Sequence, residues 1–196
     1  MKIFYLRDWD ENKYDTTLRK ILSSKNDDFI SLDVNYKITK NIIDDLSNKL
    51  YRKNKESIII GRGFGAYLGL NVSYKILSPC ILFNPTIFFK NGPEFRHQEI
   101  HLNSDFKPQI IISAKHKDID VKKTLKYFDS IGFSDYVKVY DELDENIPYD
   151  VIENEFINYK SLFNFEKPKD FISLYDSIIE ENPYIRIKKS ISIKNH

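Results

Sequence analysis

A glycine-rich turn is the segment of this sequence with the clearest chemical potential. Residues 61–65 (Gly-Arg-Gly-Phe-Gly) directly follow three isoleucines and precede a stretch with helical periodicity. A strand-to-helix turn of this kind can present a reactive side chain or bind an anion, because the N-terminus of a helix attracts negative charge. A nucleotide-binding loop would need Gly-x-Gly-x-x-Gly after the first strand, or a Lys-Ser or Lys-Thr pair after the turn. The chain has neither, so nucleotide binding, as in a Rossmann-like transferase, is the weakest interpretation.

Hydroxyl, imidazole and carboxyl groups elsewhere could also do chemistry. Ser113 lies at the end of a predicted strand and is a candidate nucleophile, with His116, beside the loop of Asp118, as its candidate base, although no activated nucleophile is evident in the sequence. Ser78 is a second, less favoured candidate nucleophile for the same histidine. Asp118 and Asp120 precede a predicted helix, where an N-cap role alone explains an acid.

Metal and thiol chemistry receive little support. His97 and His101 are four residues apart, which suits a metal on a helix, but no third ligand is near in sequence. Exposed histidines on a loop are therefore expected. Cys80 begins an apolar run and is predicted to be a buried structural thiol. The acidic run 141–145 is predicted to be a solvated loop rather than a cation site. We expect no metal and no cofactor.

Short apolar runs alternate with segments of helical period. Strands are predicted at 3–6, 29–34, 57–61, 80–83, 110–112 and 136–140, and helices at 14–22, 38–50, 64–75 and 121–131. Continuous Ile, Leu and Val runs are typical of strands covered on both faces, as in parallel sheets. The predicted fold class is therefore α/β, with three α/β/α layers and a mostly parallel sheet of about six strands.

Two segments interrupt this rhythm and define the predicted organisation. Residues 1–150 are expected to form one domain, with a lid-like insertion at 86–107. Residues 151–196 are expected to form a helical extension and tail packed on that domain. Two helices are predicted there, the second starting near Pro168 and ending before Pro183. The alternating apolar and polar residues at 185–193 indicate an edge strand or a flexible basic tail.

Composition excludes several classes of function. The 196 residues carry 30 Lys and Arg against 29 Asp and Glu, a net charge of +1. A dedicated nucleic-acid or membrane-surface binder usually has a larger positive excess. The single cysteine excludes an intrachain disulfide. The apolar run at 3–6 is too short for a signal-peptide core. We expect a cytoplasmic protein that binds neither nucleic acid nor membrane, with no prediction of its oligomeric state.

The turn and its surroundings resemble the small YqiA-like esterases of the α/β-hydrolase superfamily, over roughly residues 1–150. The resemblance rests on the opening strand Phe-Tyr-Leu at 4–6, on Gly61-x-Gly63-x-Gly65 with a following aromatic residue, and on Leu-Phe-Asn-Pro at 82–85. It implies an α/β-hydrolase fold in which the middle residue of Gly-x-Ser-x-Gly is the nucleophile.

The resemblance also locates three departures at catalytic positions. Gly63 stands where the nucleophilic serine is expected. A His-Gly-Phe-like loop is expected after the first strand, where this chain has Arg7-Asp8-Trp9. The catalytic acid is expected at Asp118, with Asp120 as a competitor. A histidine is expected just beyond the last strand, where the acidic run 141–145 contains none.

These departures predict a catalytically degenerate α/β-hydrolase-like protein. A glycine cannot attack a carbonyl, and losing the nucleophile of a triad costs several orders of magnitude in rate. Such a protein would act by binding a partner protein or a small anionic ligand. The alternative is an active esterase or thioesterase that uses the displaced residues Ser113 or Ser78 with His116.

Three residues are the candidate ligand-binding groups on the hydrolase interpretation. Arg7 and Arg62 lie at predicted strand ends, and Phe64 opens the helix after the turn. Together they could bind a carboxylate or phosphate without turning it over. The competing expectation is that Arg7 pairs with Asp8 or Asp118 and fills the vacated catalytic space.

Overall fold

The computed structural model describes residues 1–9, 16–22, 28–34, 41–51, 57–88, 100 and 106–162. Residues Met1–Leu162 form one compact unit. Its strands are β1 (Lys2–Leu6), β2 (Asp28–Ser31), β3 (Ser57–Arg62), β4 (Cys80–Phe83), β5 (Gln109–Ser113) and β6 (Val137–Tyr140). Its helices are α1 (Thr16–Leu22), α2 (Ile42–Tyr51), α3 (Phe64–Ile76), α4 (Val121–Ser130) and α5 (Tyr149–Leu162), with a 3₁₀ turn at Ser134–Tyr136.

The six described strands form one sheet in the order β2-β1-β3-β4-β5-β6, and every pair is parallel. The chain moves outward from β1 to β2, then returns across β1 to β3 and continues in the opposite direction. Right-handed crossovers therefore place α1 on one face of the sheet and α2, α3 and α4 on the other. Helix α5 contacts α1, and α2 packs on α3, which gives three layers.

Burial explains why these runs form strands. All residues of β4 and residues 57–61 of β3 are buried, as expected for central strands covered on both faces. Helix α3 is buried on most of its surface, because it lies over β3 and β4 and against α2. The core that results is continuous beneath the start of α3, which fixes the turn between β3 and α3 in place.

Helix α5 is fixed to the sheet by buried polar contacts. The carboxylate of Glu155, 2% exposed, accepts hydrogen bonds from Gln109 Nε2, Lys138 Nζ and Tyr140 Oη. Tyr159 Oη donates to the carbonyl of Lys107 at 2.7 Å and accepts from the N–H of Cys80 at 3.1 Å. A buried carboxylate with three donors is a satisfied network, so this helix is part of the same packed unit as β5 and β6.

The predicted fold class is confirmed: within the described residues the three layers and the six-stranded sheet are as expected, and all of these strands are parallel. The first predicted C-terminal helix corresponds to α5. The second predicted helix, the tail 185–193 and most of the 86–107 insertion lie outside the described residues, and the domain boundary at 150 stays a prediction. Within the described ranges, no helix is both long and apolar enough to cross a membrane.

Candidate functional site

The candidate site lies where the strand order reverses, at the carboxyl ends of β1 and β3. In open parallel sheets, ligands bind in the crevice at this switch point, because the loops from the two strands diverge there. Residues 7–9 follow β1, and Gly63 follows β3 directly. The paired strands bring Leu6 into register with Gly61. The two segments that the sequence singled out are therefore neighbours.

Gly63 has a backbone conformation that favours glycine. Its φ is 53° and its ψ is −121°, a region that costs other residues of the order of 1–3 kcal/mol. The N–H of Gly63 donates to the carbonyl of Phe83 at 2.9 Å. Its carbonyl accepts from the N–H groups of Ala66, Tyr67 and Thr86 at 3.1, 3.2 and 3.0 Å. The strained turn is held from three sides, as a site with a fixed geometry requires.

The two outer glycines allow the turn to pack closely. A Cβ atom on Gly61 would lie 2.6 Å from the Cα of Ala66. One on Gly65 would lie 2.2 Å from the carbonyl oxygen of Leu6 and 2.3 Å from that of Arg7. These neighbours are backbone atoms, which cannot move aside cheaply. The glycine pattern therefore has a structural cause at each of its three positions.

The side chain of Asp8 occupies the space above Gly63. A Cβ atom on Gly63 would lie 1.7 Å from Asp8 Oδ2 and 2.2 Å from Asp8 Cγ. Asp8 Oδ1 accepts hydrogen bonds from the N–H of Phe64 at 3.0 Å and from the N–H of Trp9 at 2.8 Å. The volume into which a side chain at position 63 would project is thus filled by a carboxylate from the segment that follows β1.

This arrangement changes the electrostatics of the crevice. The N–H that follows the elbow residue serves as an oxyanion donor in α/β-hydrolases. Here the N–H of Phe64 is engaged by the Asp8 carboxylate, which also meets the positive end of α3. An external anion would be repelled by the negative charge of this carboxylate and would have to displace it to reach the N–H of Phe64. The N-terminus of α3 is therefore occupied by a carboxylate of the chain itself.

The two arginines predicted to bind an anion lie at the ends of these strands. Arg7 Nη2 lies 3.7 Å from Asp33 Oδ1, with the Arg7 side chain 17% exposed. The competing expectation, that Arg7 pairs with Asp8 or Asp118 and fills the vacated space, stays a prediction as regards the pairing. The group that lies above Gly63 is the carboxylate of Asp8. Arg62 is half-buried at the end of β3, and ligand binding by either arginine stays a prediction.

Ser113, the preferred displaced nucleophile, is completely buried at the end of β5. Its hydroxyl accepts from Asn84 Nδ2 at 3.1 Å, and its N–H donates to Asn84 Oδ1 at 2.7 Å. Asn84 itself has a φ of 48°, which asparagine tolerates better than most residues. The Asn-Pro motif at 84–85 thus joins the ends of β4 and β5, and Ser113 serves this junction.

His116 has a protonation state that does not suit a general base. Its Nδ1 accepts from the N–H groups of Asp118 at 3.2 Å and Ile119 at 3.3 Å. A neutral ring with an acceptor at Nδ1 carries its proton on Nε2, where a base needs a lone pair. Asp118, the candidate acid, is exposed. Asp120 caps α4, accepting from the N–H of Lys123 at 2.9 Å, which confirms the N-cap interpretation for one of the two acids.

The remaining candidates lie away from the crevice. Ser78 precedes β4 and so lies at the amino ends of the strands, away from the crevice at their carboxyl ends. Its buried hydroxyl lies 3.4 Å from the carbonyl oxygen of Ser57. Cys80 is buried, as predicted, and burial raises the pKa of its thiol to about 12. In the acidic run, Glu145 pairs with Lys117 Nζ at 2.8 Å, which lowers the pKa of the carboxyl group.

Metal binding finds no support in the described part of the chain. Among the described residues, no three or more His, Cys, Asp and Glu side chains form a group that could hold a metal ion. His97 and His101 lie outside the described residues.

The residue that the sequence underrated is Asp8. From the sequence alone Asp8 is expected only as a possible partner of Arg7, because a carboxylate next to an arginine is most simply paired with it. The available signal was the alignment implied by the resemblance, in which Arg7-Asp8-Trp9 stands for His-Gly-Phe. On that alignment Asp8 stands where a glycine is expected and Gly63 where a serine is expected. The structure places these two residues against each other.

Comparisons with known proteins agree with the fold. No protein-family model matches the chain, and no curated protein sequence does either. Among solved structures, the chain is similar to a Xanthomonas campestris pv. campestris protein assigned to the hydrolases of the alpha/beta superfamily. Identity is 9%, the TM-score is 0.60, and the match covers 83% of this chain and 99% of that one.

Two further structures match at similar level. A variant of Arabidopsis thaliana SOBER1 has 11% identity and a TM-score of 0.55, covering 81% of this chain and 99% of its own. ClbQ from the colibactin NRPS/PKS pathway has 9% identity and a TM-score of 0.52, covering 84% and 98%. At these identities the likeness concerns the fold alone. The chain has an α/β-hydrolase-like fold, and Gly63 lies in the turn between β3 and α3.

Proposed function

We propose that this protein is a catalytically degenerate member of the α/β-hydrolase fold that acts by binding. The observation that carries the proposal is the Asp8 carboxylate lying within 1.7 Å of where a Cβ on Gly63 would be. Loss of a serine alone would leave a vacant cleft. Here the space is filled, and the N–H of Phe64 is committed to the filling group. The turn is therefore stabilised in a form that acyl transfer cannot use.

The alternative, an esterase or thioesterase with displaced residues, is less well supported. Ser113 is fully buried and hydrogen-bonded to Asn84, so its hydroxyl is not accessible to an ester. His116 accepts hydrogen bonds at Nδ1 and so lacks the tautomer that a serine hydrolase base needs. Each feature argues against the same pair of residues independently.

Fluorophosphonate labelling separates the two functions. The probe reacts with an activated serine, so we expect no stoichiometric labelling of the intact protein under conditions that fully label a known serine hydrolase. Turnover of short p-nitrophenyl esters should be the same for the native protein and for Ser113→Ala. Stoichiometric modification of one serine, lost on substituting that serine, would overturn the proposal.

Between the two expected ligand classes, the geometry favours a protein over a small anion. A small anion would compete with Asp8 for the N–H of Phe64 and meet its negative charge. Trp9, the only tryptophan, is 66% exposed beside Asp8 at the rim of the crevice. Exposed tryptophans are frequent anchors in protein interfaces. We therefore expect no thermal stabilisation by phosphate, sulfate or acetate, whose binding would raise stability by RT ln(1 + [L]/Kd).

Site-specific crosslinking tests the protein partner. A photo-crosslinking residue at position 9 should yield a discrete crosslinked protein in the native cell, because that position faces the proposed partner. The matched control is position 51, an aromatic residue exposed at 41% on α2. Equal crosslinking patterns from positions 9 and 51 would contradict this assignment, as would a clear stabilisation by one of the anions.

A further inference from the structure

We propose that the outer edge of β6, together with α4, is a self-association surface at which a second copy of this chain pairs antiparallel. Strand β6 is the last of the six described strands, and no described strand pairs with its outer side. Three further observations carry the proposal: the exposure of this edge, the position of its lysine, and the charges on α4.

The edge strand β6 exposes an apolar side chain. Val139 is 40% exposed although it lies inside a strand. Together with Val137 and Leu125 it lines an open groove of about 500 Å³ between β6 and α4. Edge strands with exposed apolar side chains and unpaired backbone groups are templates for pairing with another strand. The groove adds side-chain contacts to the hydrogen bonds that such pairing would provide.

Lysine is the usual protection of an edge strand, but Lys138 does not serve that purpose. Its Nζ donates to the buried carboxylate of Glu155 and lies 4.8 Å from the ring centroid of Tyr140. These contacts fix the ammonium group on the α5 side of the sheet and neutralise it. An incoming strand therefore meets no free positive charge from this residue.

The charges on α4 favour pairing of β6 with a second copy of this chain over pairing with an unrelated strand. Lys126 and Asp129 both line the groove and lie three residues apart on α4. Asp129 is held by Ser134 Oγ at 2.7 Å. A two-fold axis perpendicular to the sheet would set the two α4 helices antiparallel, so that Lys126 of each copy meets Asp129 of the other. Such self-complementarity is the mark of an isologous interface.

The spacing of the elements agrees with this arrangement. The crossover from β5 to β6 places α4 above these two strands. With strands about 4.8 Å apart, α4 centred over them lies about 5 Å from an axis between the two copies of β6. The two helices would then be about 10 Å apart, which is within the range of ordinary helix packing. Sheet pairing and helix packing are thus satisfied together.

The sequence of β6 also selects a register. If the axis passes through position 138, the two Lys138 side chains stand opposite each other, and like charges at opposed positions are unfavourable. If it passes through position 139, the two valines are opposite each other and Lys138 faces Tyr140 of the second copy. We therefore assign the axis to Val139. Three paired residues in each strand, 138–140, and one helix contact make a small interface, for which a weak dimer with a Kd of about 1–100 μM is expected.

Sedimentation equilibrium of the full chain, from 1 μM to 1 mM, tests the proposal. The intact protein should change from monomer to dimer across this range. Val139→Glu should weaken the dimer about thirtyfold or more, because two carboxylates would face each other at the axis. Ile157→Glu, at a 55% exposed position on α5, is the matched control and should leave the Kd unchanged. A protein that stays monomeric at 1 mM, or a dimer indifferent to Val139→Glu, would refute the proposal.

A charge exchange tests the two-fold pairing itself. Lys126→Glu and Asp129→Lys should each weaken association about five- to thirtyfold, since each removes two symmetric ion pairs and creates two repulsions. The double variant Lys126→Glu/Asp129→Lys should recover a Kd within about threefold of the native value. Thermal melts confirm that each variant is folded. Failure of the double variant to recover would exclude the α4–α4 contact, and this result would leave the proposed binding function at the Asp8 site unaffected.

Discussion

Replacing Gly63 by serine tests whether Asp8 and position 63 share one space. The new Cβ atom would lie 1.7 Å from Asp8 Oδ2, so the carboxylate must leave its two N–H donors. Losing these charge-assisted bonds costs about 2 kcal/mol. The positive φ of 53° adds about 1–2 kcal/mol for a residue with a side chain. We expect Gly63→Ser to lower the free energy of unfolding by about 3–4 kcal/mol.

A double-mutant cycle identifies the shared part of this loss. Asp8→Gly alone removes the same hydrogen bonds and should cost about 2 kcal/mol. In Asp8→Gly/Gly63→Ser the bonds are lost only once and the serine has room, so the double variant should cost about 3–4 kcal/mol rather than the sum of about 5–6. Urea unfolding measures each value, given equal m-values. The expected coupling is about 2 kcal/mol.

Gly132 supplies the matched control, because its φ of 79° imposes left-handed strain far from Asp8 in sequence. Gly132→Ser should cost about 1–2 kcal/mol and should add to Asp8→Gly within about 0.5 kcal/mol. If Gly63→Ser and Asp8→Gly are also additive within that margin, the carboxylate does not occupy the space over Gly63 and our account of the site is wrong. None of these variants should hydrolyse esters, because no described histidine is placed to activate a serine at 63.

Three further results are expected. Gly65→Ala should lower the free energy of unfolding, measured in urea, by about 3 kcal/mol or more, because the new Cβ would meet backbone oxygens at 2.2–2.3 Å. Gly69→Ala is the control: the nearest neighbour of its Cβ is a side-chain methyl at 3.1 Å, so its free energy of unfolding should stay within about 1 kcal/mol of the native value. Glu155→Ala should cost about 2–4 kcal/mol by thermal melting, since three donors lose a buried acceptor, and a loss under 1 kcal/mol would contradict that network. The pKa of Cys80 rises from 9 to about 12 on folding, so the unfolded thiol ionises first and stability should fall from pH 9 upward by about 1.4 kcal/mol per pH unit. Urea midpoints between pH 8 and 10 should show this slope in the native protein and a smaller one in Cys80→Ala; equal slopes would exclude a contribution from the thiol.

The fold was predictable because its signals are local and consistent. Short apolar runs such as residues 80–83 and 110–112 favour buried strands of a sheet covered on both faces, because they are too short for helices, and the helices elsewhere in the chain have clear periodicity. The strand boundaries shifted by one or two residues, as at β5, because hydrogen-bond ladders extend into flanking polar residues such as Gln109 and Ser113. At 29–34 the strand ends earlier, at Ser31, where pairing with β1 stops.

The candidate site was predictable in its backbone but not in its side chains. The spacing of Gly61, Gly63 and Gly65 indicates a tight turn, because at each of these positions a neighbouring atom of the chain lies where a Cβ atom would be. The role of Asp8 depends on a contact across 55 residues of sequence, and no local pattern encodes which long-range neighbour a carboxylate meets. The same holds for Ser113, whose partner Asn84 follows a different strand.

The contact between Asp8 and Gly63 also restricts how the sequence can change over generations. A serine at 63 is excluded while the aspartate is present, and removal of the aspartate first loses stability without restoring any reaction. The exchange at position 8 costs about 2 kcal/mol and that at position 63 about 3–4 kcal/mol, whereas the double exchange costs no more than the costlier of the two. The two positions are therefore epistatic: the stability cost of a side chain at position 63 depends on which residue stands at position 8.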